Sequence, residues 1–223
     1  MRIYIRHAEK EYCNGQSTAW AHDPSITSTG YEQTQKLALQ LIEQWGIPNF
    51  IICSPYRRTR ETALALLKII NNNGLTELKY DVRLSEYLGN RRNEKLDVTN
   101  ETLEYNPPHP ETFFQMDTRV RWHNDDMKAL DHENTVVWFI SHGFIINRIG
   151  NAMGYKLPKR LPYLSTVIFF NKQCNLFLDS KLELLSANNI LHGTLKSKGT
   201  PVRDPQAAQA TQAVPQAIKV SAD

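Results

Sequence analysis

The sequence predicts an α/β protein built on parallel strands, and two observations predict it. Short runs of β-branched and aromatic residues alternate with amphipathic, helix-like stretches along most of the chain. Three of those runs also stop abruptly at side chains suited to an anion: Arg6-His7, Ser54 with Arg58 one helical turn on, and His142. Ligands of open α/β sheets bind beyond the carboxyl ends of the strands, and parallel strands of one sheet bring those ends to a common edge. The three groups are therefore expected to converge.

The first strand is Ile3-Tyr4-Ile5, followed without a spacer by Arg6, His7, Glu9 and Lys10. Glu11 to Asp23 has no period. Apolar residues Leu37, Leu41, Ile42 and Trp45 then mark a helix from about Gly30 to Trp45, with Thr29 and Glu32 fitting a capping box and Gly46 and Pro48 ending it. Phe50-Ile51-Ile52-Cys53 reads as a second buried strand. Ser54-Pro55 opens the next helix, with Ser54 as its cap, Leu64, Leu67 and Ile70 as its buried side, and Asn71 to Gly74 as its end. Lys79 to Leu84 fits a third strand, and Ser85 to Pro110, which contains Glu86, Gly89, Arg91 and Arg92, reads as a long loop or an inserted lid. Phe113, Met116, Val120, Met127 and Leu130 recur at largely helical spacing, so Glu111 to Leu130 reads as a long surface helix. Thr135 to Ile140 is the clearest strand, ending in Ser141-His142-Gly143; a helix over Phe144 to Met153 follows. Thr166–Asn171 and Asn175–Leu178 then form a hairpin turned at Lys172-Gln173.

Composition narrows the function classes. The 223 residues suffice for one large α/β domain, expected over 1–192. Residues 193–223 turn to Ala, Gln, Pro, Lys and Ser with few large apolar side chains, which reads as a disordered tail. A net charge of +3, from 26 Lys+Arg against 23 Asp+Glu, is too even to argue for nucleic acid or an anionic membrane, and is compatible with a local anionic substrate. The three cysteines, Cys13, Cys53 and Cys174, show no metal-ligand spacing and read as reduced thiols. No run approaches the roughly 20 apolar residues of a membrane span, and the N-terminus lacks a signal-peptide profile, so a cytoplasmic protein is expected.

Four segments in order carry a more specific resemblance. They are Arg6-His7-Ala8-Glu9-Lys10, Ile26-Thr27-Ser28-Thr29-Gly30-Tyr31-Glu32-Gln33, Ser54-Pro55-Tyr56-Arg57-Arg58-Thr59-Arg60-Glu61-Thr62-Ala63, and Ser141-His142-Gly143. The chain resembles the histidine phosphatase superfamily from residue 1 to about residue 180. The resemblance implies a three-layer α/β/α sandwich around a mostly parallel sheet, phosphoglycerate-mutase-like. It also implies a phosphatase acting through phosphohistidine on a phosphorylated small molecule or phosphopeptide, with no metal or cofactor. Matched by position, His7 is the nucleophile, Arg6 and Arg58 bind phosphate, and His142 with Gly143 completes the pocket. Glu86, in a Leu-x-Glu pattern, is preferred as proton donor over Glu9 or Asp81.

These residue types suit the chemistry. Phosphoryl transfer is catalysed mostly by positioning and by neutralising charge on the equatorial oxygens. Arginine stays charged and grips two oxygens at once, and the start of the helix at Ser54-Pro55 is expected to add backbone N–H groups. The pattern departs from the family in two places. Ala8 replaces the usual glycine. Cys13, with Asn14 one later, stands where mutases and many sugar phosphatases of the family have Asn. That weakens a mutase reading, which stays open beside a phospholigand-binding module that has lost turnover. Arg57, Arg60, Arg91 and Arg92 are candidates for extending the site toward a larger phosphate, or for solvated surface charge.

Overall fold

A computed structural model describes residues 1–11, 23–70, 76–89, 111–131, 135–170, 173–178 and 184–185. The tail expected over 193–223, Cys13, Asn14, Arg91, Arg92 and most of the Ser85–Pro110 loop lie outside them. The strands are β1 (Arg2–Arg6), β2 (Phe50–Cys53), β3 (Glu77–Tyr80), β4 (Val137–Ser141), β5 (Thr166–Phe170), β6 (Gln173–Phe177) and β7 (Leu184–Leu185). The helices are α1 (Ser28–Trp45), α2 (Arg57–Ile70), α3 (Phe113–Met127) and α4 (Gly143–Ala152).

One sheet runs in the order β3-β2-β4-β1-β5-β6-β7. β3, β2, β4 and β1 are mutually parallel, and β5 to β7 extend the sheet by antiparallel pairing. The strand core explains the unbroken apolar runs. Ile3, Ile5, Ile51, Trp138 and Ile140 pack on one face with α1 and α2, while Tyr4, Ile52, Val137 and Phe139 pack on the other with α3 and α4. Strands covered on both faces need no polar alternation. The architecture is the three-layer α/β/α sandwich, with the two faces served by separate hydrophobic clusters.

Several element boundaries differ from the sequence reading. α1 begins at Ser28, and its cap is Thr27, whose extended backbone lets its hydroxyl accept from Gly30 N at 2.9 Å; Thr29 is already helical. α2 begins at Arg57, three residues after Ser54, and buries Thr59, Thr62, Ala63, Leu66 and Ile70, while Leu64 is exposed. Its buried stripe is disguised by hydroxyl and small residues because its first turns face polar groups. β3 stops at Tyr80, since Asp81 takes the Arg83 N–H at 2.8 Å and turns Val82–Leu84 into a single 3-10 turn. α3 starts after a capping box of Thr112 and Gln115. Gln173, expected in the hairpin turn, pairs with Phe170 within the sheet.

Gly30 positions the first motif. A Cβ there would lie 2.7 Å from the Glu9 carbonyl oxygen, so only glycine lets α1 press on the segment leaving β1. The same close approach accommodates Ala8, which is fully buried and donates its N–H to Thr62 Oγ1 at 3.0 Å.

Candidate active site

The register of the parallel strands assembles the site. Arg6 pairs with Ser141 across β1 and β4, and Cys53 with Ile140 across β2 and β4, so the three strands end level. Two further backbone bonds hold the residues just past the ends: His7 N to Ser141 O at 2.9 Å and Ser54 N to Ile140 O at 3.0 Å. His7, Ser54 and His142 therefore leave the sheet side by side. The His7 and His142 rings lie 5.4 Å apart, and Arg58 reaches them from the first turn of α2.

His7 is 2% exposed, and its Nδ1–H donates to the Ala8 carbonyl at 2.8 Å, which leaves the lone pair on Nε2. Burial, followed by the Arg58 charge, pushes its pKa well below the ordinary 6.5. Neutral imidazole is the nucleophilic form, and here desolvation secures it more than the neighbouring cations do. His142 is likewise held neutral, by burial first and then by Arg58. Because a guanidinium only donates, the 3.3 Å contact from Arg58 Nη2 makes His142 Nδ1 the acceptor. Its Nε2–H then donates to Ser54 Oγ at 3.0 Å.

The two arginines are anchored separately. Arg6 donates to the Leu161 carbonyl and lies 4.2 Å over the Tyr163 ring, which also lies 5.5 Å from the His7 ring. Arg58 is 1% exposed, donates from Nη1 to Asp23 at 3.2 Å, pairs through Nη2 with Glu86, and lies 4.6 Å from the Tyr56 ring centre. Its Nε is buried without an acceptor among the described residues. Gly143 opens α4 directly after His142, and a Cβ added to it would meet the Arg6 side chain at 3.4 Å.

Of the three candidate acids, Glu86 alone reaches this cluster. Its Oε2 contacts Arg58 and lies 3.7 Å from His142 Nδ1, with the side chain 31% exposed. The loop before it is pinned by Arg119, which donates to the Arg83 carbonyl at 2.6 Å, and by Ser141 Oγ, which donates to the Leu84 carbonyl at 2.8 Å. Arg119, on the helix expected to lie at the surface, is buried in a two-bonded pair with Glu111. Asp81 belongs to a separate network with His123 at 2.8 Å and Arg83 at 2.9 Å, and Glu9 contacts Thr27 at the start of α1. Among the described residues no three His, Cys, Asp or Glu side chains are grouped as metal ligands.

Two expectations need correction, and two residues were missed. The start of α2 is not an open anion site, because the Arg57 N–H already donates to both carboxylate oxygens of Asp23, at 2.8 and 2.9 Å. Ser54 is not the residue that borders the helix, which begins at Arg57; its hydroxyl takes the Tyr56 N–H at 3.4 Å and also the His142 ring N–H. Arg57 itself pairs with Glu61 at 2.8 Å, one turn on. Asp23, buried at 2% exposure, and Tyr163 carry no motif signal; their partners are Arg58 and Arg6, far along the chain. The turn holding Tyr163 includes Leu164 at φ 58°, a left-handed conformation that nothing in the residue type announces.

A sequence profile of the histidine phosphatase superfamily (branch 1) matches residues 3–164. No curated protein matches the chain by sequence. Among solved structures, the chain is similar to the mycobacterial glucosyl-3-phosphoglycerate phosphatase, with TM-score 0.54 and 19% identity over 83% of this chain and 97% of that one. It is similar to YhfR of Bacillus stearothermophilus, with TM-score 0.54 and 17% identity over 80% and 96% of the two chains. It is also similar to the ecdysone phosphate phosphatase of Bombix mori, with TM-score 0.55 and 14% identity over 93% and 98%. At these identities the likeness speaks for the fold, while the profile covers all four motifs, from Arg6-His7 to Ser141-His142-Gly143; the chain belongs to the histidine phosphatase superfamily, branch 1.

Proposed function

We propose that the protein is a metal-independent phosphomonoesterase that works through a phosphohistidine on His7. The observation that carries this reading is a buried, neutral His7 with its Nε2 lone pair available, grouped with His142, Arg58 and Glu86 at the strand ends. Arg6 and Arg58 supply the positive charge that the transferring phosphoryl group requires, each as charge-assisted hydrogen bonds of about 1.5–3 kcal/mol. His142, neutral, holds Arg58 through Nδ1 and Ser54 through Nε2–H without competing for that charge.

In the first half-reaction Nε2 attacks phosphorus, the bond to the leaving oxygen breaks, and protonated Glu86 gives that oxygen its proton. In the second, the Glu86 carboxylate takes a proton from water, whose oxygen attacks phosphohistidine and releases inorganic phosphate and free His7. An arriving phosphate competes with Glu86 for Arg58 Nη2.

The substrate class is a phosphorylated small molecule or phosphopeptide. The position of Glu86 beside Arg58 and His142 supports turnover over a binding module without chemistry. The mutase alternative turns on position 13, outside the described residues. Among those residues no helix is long and apolar enough to cross a membrane, and the buried free thiols of Cys53 and Cys174 suit the expected cytoplasmic setting. The test is hydrolysis of p-nitrophenyl phosphate in excess chelator by wild type and His7→Ala. Wild type should turn over and yield an acid-labile, alkali-stable phosphoenzyme, and His7→Ala should do neither. Equal rates in the two proteins, or loss of activity with chelator, would refute the proposal.

A further inference from the structure

A cavity of about 660 Å³ lies along α4, the helix that follows His142; His7 is not among its lining residues. Its floor includes Phe144, Arg148 and Asn151, one helical face, and its opposite side includes Tyr155, Lys156 and Lys159 from the segment after α4. From Phe144 to Asn151 the helical rise gives a length of about 10 Å. That volume is in the range that holds a small organic molecule.

Phe144 joins this groove to the proposed chemistry. It directly follows Gly143, and its ring stacks at 5.8 Å and 25° on Tyr87, the residue after Glu86. Phe113 meets both edge-on, at 6.0 and 6.5 Å, and Arg148 lies 5.0 Å over Phe113. Phe113 and Phe144 remain 48% and 42% exposed, so aromatic surface is presented around Tyr87, the residue that follows the proposed acid. The charge along the groove is of one sign. Arg148 is balanced by Asp117, but among the described residues Lys156 and Lys159 are exposed and form no ion pair, and no carboxylate lines the groove.

We infer that this groove is the leaving-group subsite, and that it takes the aromatic body of a small phosphomonoester carrying a second anionic group at the end remote from the scissile phosphate. The aromatic wall receives the ring, and Lys156 and Lys159 receive the distal anion. The inference rests on the phosphatase reading above. It adds a substrate class to it: aryl phosphates with a remote carboxylate or equivalent anion.

The test compares biphenyl-4-yl phosphate with its 4′-carboxylate, a pair differing only in the distal charge. Two exposed ion pairs are worth about tenfold together, so wild type should favour the carboxylate by about tenfold in kcat/KM, expressed in KM. Lys156→Glu/Lys159→Glu, two exposed substitutions that should leave folding intact by circular dichroism, should abolish or invert that ratio. Equal kcat/KM for the pair in wild type, or a preference that persists in the double variant, would overturn the subsite. Non-hydrolysable methylenephosphonate analogues of the pair, titrated by calorimetry into the same two proteins, repeat the comparison without turnover. Retained binding preference with no hydrolysis of either ester would overturn the phosphatase reading and leave the groove standing.

Discussion

Replacing Glu86 by Gln should slow the chemistry and tighten phosphate binding at once. Gln keeps the size of the side chain but removes its charge and its titratable proton. Without the general acid, an alkyl phosphate such as glycerol 2-phosphate should lose about a hundred- to ten-thousand-fold in kcat, or about 3–5.5 kcal/mol of transition-state stabilisation. An aryl phosphate, whose leaving oxygen needs little protonation, should lose much less. The second effect comes from Arg58, whose Nη2 is paired with Glu86 in the free site. Because the Glu86 side chain is 31% exposed, that pair is screened and its release frees only about 0.5–1 kcal/mol. Inorganic phosphate, competing for the same guanidinium, should then bind about two- to fivefold tighter. Asp23 and His142 still hold Arg58 in the variant, so the guanidinium stays in place. Steady-state kinetics on both substrates, with phosphate as competitive inhibitor, reads both effects. Uniform loss on both substrates, or weaker inhibition by phosphate, would refute the reasoning and leave Glu86 a structural role.

Stability should fall as the pH drops from 7 to 5. His7, His123 and His142 are buried and titrate below the ordinary 6.5, chiefly through desolvation, so below that pH the unfolded chain takes up protons that the folded chain does not. Each contributes a loss of up to about 1.4 kcal/mol per pH unit, and urea unfolding at the two pH values should show it; equal stabilities would contradict the burial of these rings. At lower pH Asp81 adds a loss of the same sign: burial pushes its carboxyl up, but the bonds from His123 and Arg83 outweigh this and hold it below the carboxylate range. Gly30→Ala should destabilise by about 1–3 kcal/mol through overpacking against the Glu9 carbonyl, although alanine is the better helix former; thermal denaturation giving a gain in Tm would refute the contact. Thr27→Ala should cost about 0.5–2 kcal/mol as a lost cap, measured by the same unfolding curves, and Thr29→Ala much less; the reverse order would restore the capping box read at Thr29.

The strand and helix content was legible because a buried parallel strand must be apolar on both faces and a covering helix must show one apolar stripe. Ile3 to Ile5, Phe50 to Cys53 and Thr135 to Ile140 all carry that signal. The first helix was placed correctly apart from its cap, since Thr27 and Thr29 are equally good capping residues by type. Their backbone conformations distinguish them, and those depend on Glu9 lying against Thr27. The second helix was misoriented at Leu64 because its inner face ends among polar groups, where Thr59 and Thr62 replace the expected large apolar side chains.

Arg6, His7 and His142 were visible as charged or polar residues at the ends of apolar strands, and Arg58 in the helix that follows one, positions that sequence alone defines. Their convergence followed from parallel pairing, and Arg6↔Ser141 with Cys53↔Ile140 supplies the register that makes it possible. Only the tertiary structure decided what holds each group: Asp23 on Arg58, Tyr163 and the Leu161 carbonyl on Arg6, Ser54 on His142. It also decided which carboxylate stands at the site, since Asp81 and Glu86 are five residues apart and only the tethering of Leu84 and Arg83 to Ser141 and Arg119 sends them to different partners. A local pattern records which faces of an element avoid water; partnership between side chains dozens of residues apart depends on strand order and register, which no short window of sequence contains.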